Sequence, residues 1–214
     1  MKTFILSAVV SALAASAVAG PVDTLALWTF EQSMPTNAGP HAAEFGIYGG
    51  DATGFHSSAS TVYSNPVGNG SLESFSANNW NFDDYFQFTT STVGYQEIMF
   101  GWSQTRSGTG PVDFAILWSA DGVNFQSLFQ YSVAQITWSS AVLNPASVYA
   151  PVALPPEAAN LSTVWVRIFC EDAGAPAGTS RVDDVFFSGM AVPAPGILAL
   201  MALAGVCGPR RRRA

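Results

Sequence analysis

Through the middle of the chain, apolar and polar residues alternate over short runs, while the long apolar stretches stand at the two ends. The alternation has a period of two, which is the strand period. Leu25 to Glu31 puts Trp28 and Phe30 on one face, and Tyr85 to Thr90 does the same with Phe86 and Phe88. Glu97 to Ser103 groups Ile98, Phe100 and Trp102. Asp113 to Ser119 is apolar on both faces, as a central strand is. Asp121-Gly122 supplies a tight turn, and Phe125 to Val133 returns as the partner strand. Val164 to Cys170 sends Val164, Val166, Ile168 and Cys170 one way and Trp165, Arg167 and Phe169 the other. Val148 to Leu154 suits a short strand, and Arg181 to Ser188 is the last.

Turn-rich segments separate these runs: Pro35 to Pro40, Asn65 to Gly70, Ser107 to Pro111 and Glu171 to Ser180. Helical periodicity is absent, and no linker or repeat divides the middle. The pattern predicts an all-β chain in which residues 20–190 form a single β-sandwich of jelly-roll type.

The ends read as processing segments. Lys2 precedes an apolar and small-residue run, Phe4 to Val18, and Ala17-Val18-Ala19 is an A-x-A cleavage site. This is the layout of a secretory signal peptide, residues 1–19. At the other end, Val192-Pro193-Ala194-Pro195 precedes an apolar segment, Gly196 to Gly208, and the arginines Arg210, Arg211, Arg212 and Arg213. Arginines beside a hydrophobic segment hold it in a stop-transfer orientation. The order of motif, hydrophobic helix and arginine cluster over residues 191–214 resembles the PEP-CTERM sorting signal of Gram-negative bacteria, with Ala194 where the usual motif has Glu. An ordinary C-terminal anchor is the competing reading. The resemblance implies passage through the secretory translocon, a transient inner-membrane anchor, recognition by an exosortase, and delivery to the cell surface or outside. It also implies a link to exopolysaccharide.

Composition then narrows the chemistry. The three basic residues between the two segments are Arg106, Arg167 and Arg181, and all 15 acids lie there too, so 3 − 15 = −12. Such a surface repels phosphate backbones, which argues against nucleic acid. Cys170 has no partner there, since Cys207 lies in the tail, and its place on an alternating run marks it as a buried small hydrophobe.

Nothing points to an enzyme. There is no G-x-S-x-G elbow, no H-E-x-x-H and no paired cysteine spacing. His41 and His56 fall in loop-like stretches, where exposure is expected. The adjacent acids Asp83-Asp84, Glu171-Asp172 and Asp183-Asp184 would point to opposite faces of a strand, which suits no shared acid–base couple. A polysaccharide hydrolase would need two carboxylates from different strands across a cleft.

Trp28-Thr29-Phe30-Glu31, the run from Arg106 to Phe125 and Arg181-Val182-Asp183-Asp184-Val185 resemble the sandwich domains joined to such tails and, more distantly, galactose-binding-like and carbohydrate-binding jelly rolls. That resemblance implies a structural calcium, for which Glu31 and Asp183 match by position and Asp51 is a third candidate. Asp183 or Asp184 paired with Arg181 or Arg167 is the plainer alternative. For sugar stacking, Trp80, Tyr85, Tyr95, Trp138 and Tyr149 lie near turns or strand ends, whereas Trp28, Trp102 and Trp118 read as core. The expectation is a non-catalytic surface protein with a structural or adhesion role; the alternatives are a carbohydrate-binding module and a hydrolase.

Overall fold

The computed structural model describes residues 20–193. The signal segment and most of the sorting segment lie outside the described residues. Twelve strands run in the order β1 (Val22–Trp28), β2 (His41–Ala42), β3 (Asp51–Phe55), β4 (Tyr63–Ser64), β5 (Phe75–Asn78), β6 (Tyr85–Thr90), β7 (Tyr95–Arg106), β8 (Asp113–Ser119), β9 (Gln126–Ser132), β10 (Val152–Ala153), β11 (Val164–Cys170) and β12 (Thr179–Ala191). They form two six-stranded antiparallel sheets. Sheet A has the order β10-β7-β12-β5-β4, with β1 beside the second half of β12. Sheet B has the order β2-β3-β6-β11-β8-β9.

From β5 to β8 every connection crosses between sheets, and so do those from β9 through β10 and β11 to β12. That wrapping is a jelly roll. Among the described residues no helix is long and apolar enough to cross a membrane.

The inner faces meet through aromatic rings. Trp28 of sheet A stands edge-on to Phe88 of sheet B at 5.2 Å, and Phe75 meets Phe86 at 4.4 Å. Val164, Val166, Ile168 and Cys170 are fully buried on β11, as their alternation predicts. Each such side chain contributes about 1.5–3 kcal/mol by leaving water. Trp28, Trp102 and Trp118 are core residues as expected.

Several expectations fail for local reasons. β1 ends at Trp28, and Phe30 reaches the core from a turn with φ 59°. The Glu44 carboxylate holds that turn, accepting from the Thr29 hydroxyl and from the amides of Gln32 (2.8 Å) and Ser33 (3.0 Å). Between the turn-rich segments Pro35 to Pro40 and Asn65 to Gly70, where the pattern names no strand, the chain forms three short ones, β2, β3 and β4. Trp80 and Trp138 are buried rather than exposed, because each indole N–H finds an internal acceptor: the Ala77 carbonyl (2.8 Å) and the Ser147 hydroxyl (2.7 Å). His41 is buried on β2, and His56 is half-buried, 4.3 Å from the Trp80 ring with Nδ1 at the Tyr63 hydroxyl (2.9 Å).

Candidate functional site: the outer face of sheet B

Strand alternation decides what sheet B shows to solvent. β6 turns Phe86, Phe88 and Thr90 inward and Tyr85, Gln87 and Thr89 outward, and β11 turns Trp165, Arg167 and Phe169 outward. Register aligns these in rows across the strands. One row runs Phe55, Tyr85, Phe169, Ala115, Gln130, and the next runs Thr53, Gln87, Arg167, Leu117, Ser127.

The rows form an aromatic strip. Phe55 is half exposed and stacks on Tyr85 at 5.1 Å and 19°. Phe82, 60% exposed, stands edge-on to Phe169 at 6.0 Å. The Arg167 guanidinium lies between two rings, 3.9 Å from the Tyr85 centroid and 3.6 Å from that of Phe125. Its Nε donates to the Gln87 side-chain oxygen at 2.9 Å, which leaves its Nη groups as donors. Trp165 rests against the Asp121-Gly122 turn. A Cβ at Gly122 would stand 3.0 Å from the indole, and φ there is +74°, so glycine serves both the turn and the close approach. Hydrogen bonds from Asn124, Val123 and Ser119 hold the Asp121 carboxyl well below its ordinary pKa, which accounts for this aspartate as a turn residue.

The strip adjoins an open depression of about 400 Å³ lined by Asp113, Gln130, Tyr131, Ser132 and Glu171. Ser132 donates to Asp113 at 2.8 Å, and the Gln130 amide donates to both Glu171 oxygens at 2.8 and 3.0 Å. Flat apolar rings beside carboxylate and amide groups suit a ligand with apolar C–H faces and hydroxyl edges.

Of the ring candidates named from sequence, Tyr85 belongs to this strip. Tyr95 is half-buried with its hydroxyl on Asp23 (3.0 Å), and Tyr149 stacks on Trp102 at 5.0 Å. Phe55, Phe82 and Phe125 were not singled out. Phe55 falls in a Gly- and Ser-containing stretch with a weak strand signal, and Phe82 and Phe125 sit in turns.

The calcium candidates separate. Asp183 is fully buried on β12 and accepts from the Asn69 amide (2.7 Å), the Ser71 hydroxyl (2.6 Å) and the Asp184 amide (2.8 Å). Glu31 comes to the same place, accepting from the Glu73 amide at 2.8 Å. Asp51 lies on the other sheet, paired with Thr89. Among the described residues no three His, Cys, Asp or Glu side chains are grouped as a metal site. A β-bulge explains why Asp183 and Asp184 do not take opposite faces. The register shifts between Asp183 and Phe186, Asp184 has φ 47°, and Val182 and Val185 both face the core. Burial, together with the Asp184 charge, raises the Asp183 pKa to about 7 against the lowering effect of its hydrogen bonds. Burial and Glu31 raise that of Asp184. The arginines find other partners: Arg181 faces Trp138 at 5.0 Å, and Arg106 donates to the Val133 carbonyl at 2.8 Å.

No family model and no curated protein matches the chain. Among solved structures it is similar to the K2 cleaved adhesin domain of Lys-gingipain, with 18% identity and TM-score 0.46 over 75% of this chain and 96% of that one. It is also similar to TmCBM61 in complex with β-1,4-galactotriose (11%, 0.40, over 74% and 92%). A third is a putative sugar binding protein from Bacteroides thetaiotaomicron (12%, 0.44, over 78% and 99%). At these identities and scores the likeness assigns no activity.

Proposed function

We propose that this domain is a non-catalytic glycan-binding module displayed outside the cell, and that the outer face of sheet B is its binding surface. The observation that carries the reading is the strip of Phe55, Tyr85, Phe169 and Phe82, with Arg167 clamped between rings and the Asp113–Glu171 depression beside it. Sugar rings would stack on the strip while their hydroxyls donate to the carboxylates and accept from the Arg167 Nη groups. An adhesion role follows from such binding and needs no reaction. A hydrolase would require a proton-holding carboxyl at the substrate. The carboxyl whose pKa reaches about 7, Asp183, is sealed in sheet A by three donors.

Binding by the full chain to immobilised neutral oligosaccharides, with β-1,4-galactotriose as a first probe, tests the reading. Tyr85→Ala and Phe82→Ala should each weaken capture by about tenfold or more, the scale of an interface anchor. Capture indifferent to both substitutions would remove the proposal. The export route rests on the two end segments: mass spectrometry of the protein from its host should show cleavage near Ala19 and near Pro195. A mature protein that keeps its tail would leave the plain-anchor reading instead.

A further inference from the structure

Among the described residues, the strand edges of this sandwich are short or covered, with one exception. The outer edges of both sheets are capped by the two-residue strands β2, β4 and β10. The free side of β1 is covered by residues 44–48, which hydrogen-bond to the backbone of Thr24, Leu25 and Leu27. Beyond β10, the segment 148–154 reaches β7 again at Trp102 and Ile98. β9 is different. It has seven residues and forms the end of sheet B, and among the described residues its outer edge meets no other backbone. A long, unpaired edge is a template for another strand, and proteins ordinarily block it with charge, proline or shortening. β9, Gln126-Ser127-Leu128-Phe129-Gln130-Tyr131-Ser132, has no charge and no proline.

The direction of its free groups follows from the ladder. Val133 donates its amide to Val112 of the β8 side at 2.7 Å, so alternation turns Tyr131 and Phe129 toward β8 and leaves Ser132 and Gln130 facing out. The Tyr149 hydroxyl on the Ser132 carbonyl (3.3 Å) agrees with that phase. A bulge at Leu128 ends the regular stretch. Phe129 sits in the inward row beside Tyr131, opposite the fully buried Ile116, yet is 44% exposed.

We propose that β9 pairs with β9 of a second copy, antiparallel about a two-fold axis at Gln130. The two Gln130 backbones then exchange N–H···O=C bonds, and Phe129 of each copy lies across from Tyr131 of the other, an aromatic cross-strand pair. The edge is complementary to itself: Gln130 presents one outward N–H and one outward C=O, and the part-exposed Phe129 on one side of it is matched by Tyr131 on the other, so a second copy answers each group. The contact is isologous and closes on itself. Each copy also carries −12 across the described residues, and β9 offers a seven-residue uncharged edge where two such chains can approach. The axis stands perpendicular to the sheet, so the outer faces of both copies look the same way.

Sedimentation of the full chain over a concentration series tests this. The expected result is a monomer–dimer equilibrium. Gln130→Pro removes the outward amide and spares the β8 ladder, and Gln130→Glu adds a carboxylate beside Glu171 on each side of the axis. Each should weaken dimerisation by at least about tenfold, and added salt should restore the Glu variant but not the Pro variant. A native chain that stays monomeric throughout, or a dimer indifferent to both substitutions, would overturn the proposal.

Discussion

The bulge of β12 and the outer face of sheet B both place carboxylates among hydrogen-bond donors, but to opposite ends. At the bulge, the donors are the backbone amides of Asn69 and Asp184 and the Ser71 hydroxyl, and they seal Asp183 from water. On sheet B, the donors are side chains of exposed residues, Ser132 and Gln130, that can exchange a carboxylate for a ligand hydroxyl. A polar group satisfied by fixed backbone serves the fold, whereas one satisfied by a mobile side chain at the surface is free for recognition.

Substitutions at the two places should therefore separate stability from binding. The largest effect is expected from Asp183→Ala, which leaves the Asn69 and Asp184 amides and the Ser71 hydroxyl without their acceptor. About 3 kcal/mol of stability should be lost in chemical denaturation, with glycan capture retained by the folded fraction. Arg167→Ala should do the reverse. It opens the Tyr85–Phe125 clamp at a cost of about 1 kcal/mol, but lowers glycan affinity by about tenfold or more in titration calorimetry. Gly122→Ala should cost about 1 kcal/mol through its positive φ and displace Trp165, which the tryptophan fluorescence of the folded protein would report.

The remaining effect is read as a slope against pH. Burial lowers the His56 pKa to about 4, opposed by Asp84, so its contribution is complete above about 6.5 and fades as pH falls toward 4. Asp183 is raised to about 7, so its contribution is complete below about 3.8 and fades as pH rises through 7. The two slopes oppose one another between about pH 4 and 6.5. His56→Gln removes the first, and its stability should then fall steadily as pH rises across that window. A profile parallel to that of the native chain would contradict the assignment.

Three strands were legible with their boundaries: alternation marks Tyr85–Thr90 and Val164–Cys170, and an apolar run on both faces marks Asp113–Ser119. The outward set Trp165, Arg167 and Phe169 came with the second. The two-residue strands were not legible, because so short a stretch has no period to detect. Turn-rich surroundings suggest exposure for Trp80, Trp138, His41 and His56, whereas the indoles are buried against near acceptors, Ala77 and Ser147, and the imidazoles against rings more remote in the chain, Phe75 and Trp80, none of which has a periodic signal.

Local pattern by itself determined the all-β class, the inward and outward sets of the alternating strands β6 and β11, and the strongly acidic, lysine-free character of the middle, since each depends on near neighbours or on composition alone. Tertiary structure decided which outward residues share a face. Phe55, Tyr85, Phe169 and Gln130 are far apart in the chain and become one row through register, a property of pairing between strands. It also decided that Glu31 meets the β12 bulge while Asp51 does not, because sheet membership, which no single run of residues encodes, separates them.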